Sequence, residues 1–452
     1  LRSVLFVGFE EATVTEVTIP YGTRVVPLSV SGGRLVRRIT PHTPPPAGSA
    51  KELLAAALQQ PIGSGRLREI ARGKRSAAIL IPGKARVAGT RDYVAALVSE
   101  LNRAGLPDES VSVFLADGTH EQHLQSDIEA LLGSDLASRV RCLGHDCRRD
   151  EVVDLGTTSY GTPVLFNRRV LDSEVKVLTG RIVPHYFAGF SGGRKALVPG
   201  VAGFPTILAN HKLTLDPERG IHPGVRLCSL RENPVHLDML EGARLAQPDF
   251  CLNTLMDAED QMVSAVAGNF EAAHEEGCRQ ALGTLRVVLD EPVDVLISSA
   301  GGSPYDDNFM QSLKAIFNVQ EVVRPGGTIL WLAECSRGIN PGFLSWAALE
   351  SDTELEQGVR ASYALTGHNS LMLRHLIRRV EVGLWSALPP DTVSRLGVHP
   401  VTSLEEGLAW IRRRHPHGFS YAVVPHANVM CAALETAGVL ETDKQETLGH
   451  VA

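Results

Sequence analysis

Residues 76–81 (SAAILI), 90–104 (TRDYVAALVSELNRA) and 111–116 (VSVFLA) decide the fold of this chain. The two outer segments are short, nearly uninterrupted apolar runs, as a strand requires when both of its faces are covered. Between them Val94, Leu97, Val98 and Leu101 recur at helical spacing. A strand, a helix and a second strand in that order predict a parallel sheet covered by helices.

The same alternation extends outward. Residues 121–132 read as a helix, 175–182 as a strand opening into a long glycine-rich loop, and 205–211 as a short helix. The polar mixture at 223–248 suggests no element. A second unit begins near Val293, with strands at 293–298, 327–332, 380–385 and 421–424 and helices at 308–323, 352–365, 370–379 and 403–414. Its second strand follows a turn at Pro325-Gly326-Gly327. This pattern predicts a doubly wound, Rossmann-like domain. Upstream, 12–30 reads as strands around a turn at Tyr21-Gly22. The prolines at 41, 44, 45 and 46 make an extended connector, and a helix follows at 51–58. The expected organisation is α/β with two domains, parallel or mixed sheets flanked by helices. Residues 1–288 form the first, 289–428 the second, and 429–452 a segment packing back on the first.

With 452 residues the chain has room for two or three domains. A formal net charge of −7 excludes nucleic-acid binding driven by bulk positive charge. No run of eighteen apolar residues occurs, so no membrane helix is expected. Residues 1–10 lack the apolar core and cleavage site of a secretory signal. Seven scattered cysteines, an odd number, predict reduced thiols and a cytoplasmic protein. Cys142, His145 and Cys147 lie close together, but at no zinc-binding spacing.

Ligands of open α/β sheets bind beyond the carboxyl ends of the strands. The strand ending at Ala116 runs into Asp117-Gly118-Thr119-His120, where His120 is either a surface capping residue or a site residue. The strand ending near Ile182 runs into Pro184-His185-Tyr186-Phe187-Ala188-Gly189-Phe190-Ser191-Gly192-Gly193-Arg194-Lys195. Gly192 and Gly193 offer backbone N–H groups to an anion, with two cations following. The spacing fits neither a Walker A loop nor a dinucleotide fingerprint. Either the loop is a flexible surface segment, or its aromatic approach partly buries Lys195, which then serves as a nucleophile or covalent anchor. His211, sixteen residues past Lys195, is a candidate ligand for nickel, copper or zinc. Gln311 and Lys314 share one helix face, which spacing alone reads as an exposed polar stripe.

Together these stretches resemble the lactate racemase family, enzymes that use a nickel-pincer nucleotide. The matching residues are Ala116 to His120, Pro184 to Lys195 with Pro199-Gly200, Asn210-His211, and Gln311-Ser312-Leu313-Lys314. The resemblance implies that Lys195 holds the cofactor covalently, that His211 coordinates its nickel, and that His120 and His185 are paired acid/base groups. Arg86, Gln311 and Lys314 fall to the substrate carboxylate and hydroxyl. It further implies a small 2-hydroxy acid as substrate, hydride transfer through a 2-oxo acid, and cofactor-biosynthesis enzymes as partners, with no role for nucleic acid or membrane. Two departures lie beside the expected substrate. Gly83-Lys84-Ala85-Arg86 stands where the family has Asp-x-Thr-Arg, and Met310 stands where it has a tyrosine. Both point to a larger or more acidic 2-hydroxy acid than lactate, such as malate or a sugar acid, with Lys84 or Arg194 meeting a second carboxylate. Two alternatives are a non-catalytic binder of an anionic metabolite or nucleotide, and an enzyme with the same cofactor performing net redox chemistry.

Overall fold

The computed structural model describes residues 17–42, 45–83, 87–120, 125–349 and 351–435. One six-stranded sheet runs in the order Met262–Gly268, Phe250–Met256, Val175–Arg181, Ala77–Ile81, Val111–Leu115, Arg141–Gly144. Only the first pair is antiparallel, so the sheet is mixed. Ala77–Ile81 is buried at all five positions, which is why its sequence carries no polar alternation. Burying each of Ile79, Leu80 and Ile81 is worth roughly 1.5–3 kcal/mol. Helix Thr90–Arg103 turns Val94, Leu97, Val98 and Leu101 inward, as their spacing requires.

The second sheet has six strands, all parallel, in the order His399–Val401, Glu381–Trp385, Val323–Leu332, Val293–Ser299, Phe419–Val424, Gly33–Arg38. The doubly wound expectation for this unit holds. Its last edge strand comes from the start of the chain: Gly33–Arg38, counted above within 1–288, belongs to this sheet. The hairpin of Val17–Tyr21 and Arg24–Leu28 also packs here, with Tyr21 stacked 3.9 Å from Trp385. In the opposite direction, Cys431–Leu434 pairs in parallel with Arg286–Leu289. The two units are therefore laced together by Gly33–Arg38 and Cys431–Leu434, near the two ends of the described residues.

Several elements differ from the sequence expectation. The helix expected at 308–323 is broken into Phe309–Ser312, Lys314–Phe317 and a 3-10 turn at Gln320–Val322. The Ser298 hydroxyl donates to the Ala315 carbonyl, while Val319 N–H turns to Ile316 instead. A continuous α-helix would need that carbonyl for its own ladder. The turn at Pro325-Gly326-Gly327 lies inside strand Val323–Leu332 as a bulge, because Val293 pairs Val323 but Val295 pairs Thr328. The polar stretch at 223–248 contains helix Pro234–Ala246, capped by the Asn233 side chain on the N–H groups of Val235 and His236. The helix expected at 121–132 is present as Gln125–Leu132; residues 121–124 lie outside the described residues.

All seven cysteines are free thiols. His145 is a satisfied core residue, its ring nitrogens 2.9 Å from the Ala202 carbonyl and 3.1 Å from the Asn167 side chain, so it needs no metal. Among the described residues no helix is long and apolar enough to cross a membrane.

Strand Ala77–Ile81 has the next strand, Val111–Leu115, on one side and Val175–Arg181 on the other. The direction of sheet growth reverses there, and sheets of this kind bind their ligands in the crevice beyond the carboxyl end at such a point. Residues 84–86, which carry Lys84 and Arg86, follow that end in sequence and lie outside the described residues.

Candidate active site

From strand Val175–Arg181 the chain enters a tight hairpin in which Pro184–His185 pairs with Gly189–Phe190. Gly189 has φ +73°, and a Cβ there would stand 2.1 Å from the Ser229 carbonyl oxygen, so only glycine fits. Ser191 pins the base of the hairpin, donating to the Arg181 carbonyl at 2.7 Å and accepting from Val183 N–H at 2.9 Å. The tip presents His185, Tyr186 and Phe187, and Phe187 is its hub. His185 stands 4.5 Å from the Phe187 ring and His211 5.1 Å, both edge to face. The Lys195 ammonium is 5.2 Å from the same ring, within reach of a cation–π contact. His185 also accepts a long hydrogen bond, 3.4 Å, from Ala188 N–H.

Lys195 is half-buried on the 3-10 turn Gly193–Ala196. His211 closes helix Phe204–Lys212. Burial, then the nearby His368 and Lys195, holds its imidazole well below the usual histidine range. It is therefore neutral, as a metal ligand must be. His120 is exposed at the end of the Asp117-Gly118 turn, close enough for its charge to act on His211. Gly118 donates its N–H to the Gly200 carbonyl, which seats that turn against Pro199-Gly200.

The C-terminal unit contributes from the other side. Lys314 donates to the Gln311 side-chain oxygen at 3.1 Å, so these two act as a pair rather than as separate surface groups. One turn on, Phe317 meets the hairpin, its ring 5.1 Å from Tyr186. Arg181 ties the units again, donating to Asp260 at 2.6 Å and to the Tyr305 hydroxyl at 3.0 Å. Met310 is partly buried against the core.

Two expectations need correction. Arg194 is not available for a substrate carboxylate: it is 1% exposed and contacts His274 at 2.8 Å and the Ala188 carbonyl at 2.8 Å. Burial pushes its guanidinium down to about 10. The Gly193 N–H is not offered to an anion either; it donates to the Asn253 side chain at 2.9 Å. Gly192 and Gly193 are required for shape. A Cβ on Gly192 would lie 2.8 Å from the Asn253 oxygen, and one on Gly193 2.8 Å from the His274 ring.

The cluster under the loop has a measurable consequence. Burial, then Arg194, lowers His274 to about 3, while its ordinary value of about 6.5 returns on unfolding. The unfolded chain therefore takes up the proton first. The stability is present above about pH 6.5 and is lost as pH falls toward 3. His274 alone costs about 2 kcal/mol between pH 7 and pH 5. Urea melts of the parent and of His274→Gln at the two pH values check this: the substituted protein loses less stability over that interval by about that amount. Equal losses would refute it.

The sequence reading missed His368, which opens helix Gly367–Arg379 in the gap between the helices expected at 352–365 and 370–379. It is buried, 5.1 Å from Phe187 and 6.1 Å from His211 between ring centres, and its Nδ1 is 2.7 Å from the Tyr363 hydroxyl. The only signal in the sequence was a histidine placed just ahead of a helix in a doubly wound unit. His211 Nδ1 and His368 Nε2 are both buried without a hydrogen-bond partner. Among the described residues no cluster of three or more His, Cys, Asp or Glu side chains stands ready to hold a metal. A metal at His211 therefore needs donors from a bound group. Behind the hairpin lies a crevice of about 930 Å³ lined by Tyr186, Phe190, Cys228 and Phe317 among others, but by none of the sequence-chosen site residues.

The chain is similar to known proteins in sequence and in fold. The lactate racemase N-terminal domain model matches residues 21–222 and the lactate racemase C-terminal domain model residues 288–428. A lactate racemase from Thermoanaerobacterium thermosaccharolyticum is 33% identical over 308 residues, 68% of this chain and 71% of that protein. A lactate racemase from Lactiplantibacillus plantarum is 27% identical over 422 residues, 90% of this chain and 97% of that protein. The solved structure of the lactate racemase apoprotein from Thermoanaerobacterium thermosaccharolyticum superposes with a TM-score of 0.84 at 27% identity, covering 92% of this chain and 100% of that one. A Thermotoga maritima protein shares the fold at 17% identity, with a TM-score of 0.62 over 82% of this chain and 98% of that one. The chain belongs to the lactate racemase family and is an isomerase of the racemase type.

Proposed function

We propose that this protein inverts C2 of a 2-hydroxy acid with a nickel-pincer nucleotide, held covalently by Lys195 and through nickel by His211. The observation that carries this reading is the convergence of Lys195, His185 and His211 on the one ring of Phe187. The unpartnered nitrogens of His211 and His368 fit a metal, and the shortage of other protein donors fits one that arrives with its own. When bound, the cofactor supplies a hydride acceptor, so that C2 can become planar without a carbanion beside the carboxylate.

The chain's own residues do the remaining work. His120 and His185 take and return the hydroxyl proton, one for each enantiomer, a task suited to an imidazole, whose ring nitrogens both accept and donate a proton. Gln311 and Lys314 hold the substrate oxygens, and the hydrogen bond between them fixes the ammonium in place. Arg86 is proposed for the carboxylate, where a guanidinium can bind both oxygens. Lys84, a cation next to Gly83, which stands where the family has an acid, is the group left for a second carboxylate once Arg194 is withdrawn. The flexible thioether of Met310 leaves more adaptable space than an aromatic ring would. The substrate is then malate or a sugar acid in preference to lactate. The protein works in the cytoplasm alongside the enzymes that make the cofactor. The proposed units are residues 1–288 and 289–428, apart from the edge strand Gly33–Arg38.

Chiral chromatography of single enantiomers incubated with loaded protein tests the reading. Malate or a sugar acid is expected to reach an equilibrium mixture faster than lactate does. Inversion confined to small monocarboxylates would overturn the substrate assignment, and inversion of no 2-hydroxy acid would overturn the function.

A further inference from the structure

Cys228 and Cys431 stand sulfur to sulfur, 3.5 Å apart, although they lie 203 positions apart in the chain. One belongs to the loop ahead of helix Pro234–Ala246, and the other opens the strand that pairs with Arg286–Leu289. They are 6% and 3% exposed, and both line the crevice of about 930 Å³ behind the hairpin, through which a small solute can reach them. The mechanism above uses neither.

The third thiol of the crevice, Cys278, has a contact of its own with His274 at 3.5 Å. Cys228 is held at φ +60°, a left-handed conformation that a residue with a side chain adopts only where its surroundings impose it. Its N–H donates to the Gly189 carbonyl at 3.1 Å, and Gly189 faces His185 across the hairpin. Cys228 is thus joined through its backbone to the site and through its sulfur to the far strand.

We propose that Cys228 and Cys431 are a redox-active pair that peroxide closes to a disulfide, disturbing the hairpin that carries His185. One sulfur attacks a peroxide oxygen; the O–O bond breaks, water leaves, and the sulfur becomes a sulfenic acid. The second thiol attacks that sulfur, the S–O bond breaks, and the thiol proton leaves with the oxygen as a second water. Two thiols have then lost two electrons to one peroxide. The sulfurs must close from 3.5 Å to about 2.05 Å. Cys431 is anchored in a paired strand, with the next N–H donating to the Asn318 carbonyl, so the movement falls to Cys228 and reaches Gly189. Burial, then Cys431, raises the Cys228 thiol well above its ordinary value, while Arg286 acts the other way. A thiol held protonated reacts slowly, so the pair stays reduced until oxidant accumulates. Bond formation is independent of the function proposed above; only its effect on activity rests on that reading.

The test exposes the full chain to hydrogen peroxide, blocks the remaining thiols and maps the peptides. A linked Cys228–Cys431 peptide is expected, with the thiols titrated after denaturation falling by two from seven. Hydrogen exchange across residues 184–190 rises on oxidation and returns with dithiothreitol. In cofactor-loaded protein racemisation falls about tenfold, since a misplacement of about 1 Å can cost about a hundredfold, and reductant restores it. Cys228→Ser and Cys431→Ala neither crosslink nor lose activity at the same dose, which separates the switch from damage to the cofactor. Cys278→Ala responds like the parent, and thermal melts identify any variant that has unfolded. Single cysteines carried to sulfinic acid without a linked peptide would overturn the proposal. So would a linked peptide with unchanged exchange at the hairpin. Loaded protein that racemises no 2-hydroxy acid even when reduced overturns the function instead, and the linked peptide and hairpin exchange still decide this inference.

Discussion

Lys195→Ala, co-expressed with the enzymes that make the cofactor, emerges at its unmodified mass and without racemase activity, whereas the parent carries an adduct on that one lysine. The expectation follows from the choice of nucleophiles at the loop. A covalent anchor of this kind needs an amine that can shed its proton. A guanidinium does not deprotonate at working pH, and Arg194 is in any case buried against His274 and the Ala188 carbonyl. Lys212, beside His211, is exposed at the end of its helix, outside the aromatic ring contact that Lys195 makes. Lys195→Arg keeps the charge near Phe187 but cannot form the bond, so it too stays at its unmodified mass. That control separates loss of the anchor from loss of the cation–π contact. Intact-mass spectrometry with peptide mapping reads both variants. A full adduct on Lys195→Ala would remove Lys195 from the site.

Parts of this arrangement were legible in the sequence for a definite reason. Strand Ala77–Ile81 is covered on both faces, so its sequence is a continuous apolar run, and Val293–Ser299 is nearly so, with Asp294 its one charged residue. Gly33–Arg38 was not legible as part of the second sheet. Five of its six residues are exposed, and its partner, Phe419–Val424, is almost four hundred residues away. The end of the helix after Phe317 could not be read either, because it depends on a hydroxyl from a distant strand, Ser298, taking the Ala315 carbonyl. At the site, the order His185 to Lys195 was plain, but what each group faces was not. Arg194 and Lys195 are neighbours in sequence and opposites in space, one turned into the core and one toward Phe187. Backbone handedness through Gly192 and Gly193, both with positive φ, makes that division.

His120→Ala and His185→Ala are expected to carry the Lys195 adduct at the parent's level while losing racemisation by about 10²–10⁴-fold, the usual worth of a positioned acid or base. The sheet supports the pairing. His120 follows strand Val111–Leu115 and His185 follows Val175–Arg181, with Ala77–Ile81 between them. Strands two apart are separated by about 10 Å, room for a small acid with one base at each side. Racemisation has an equilibrium constant of one, so a variant lacking either base must lose kcat/KM equally in both directions. An enzyme that used one base for both enantiomers would instead tolerate loss of the other histidine. The double variant should fall little below the worse single, because the two act in one sequence of proton transfers. His185 also packs on Tyr186 and Phe187, so a purely structural role could lower activity by disordering the hairpin. His185→Gln distinguishes the cases: it keeps most of the packing and can hydrogen-bond, but it cannot exchange a proton near neutrality. Adduct formation at the parent's level with activity as low as in His185→Ala would mark proton transfer. Activity restored to within twofold of the parent by glutamine would show that His185 only supports the loop.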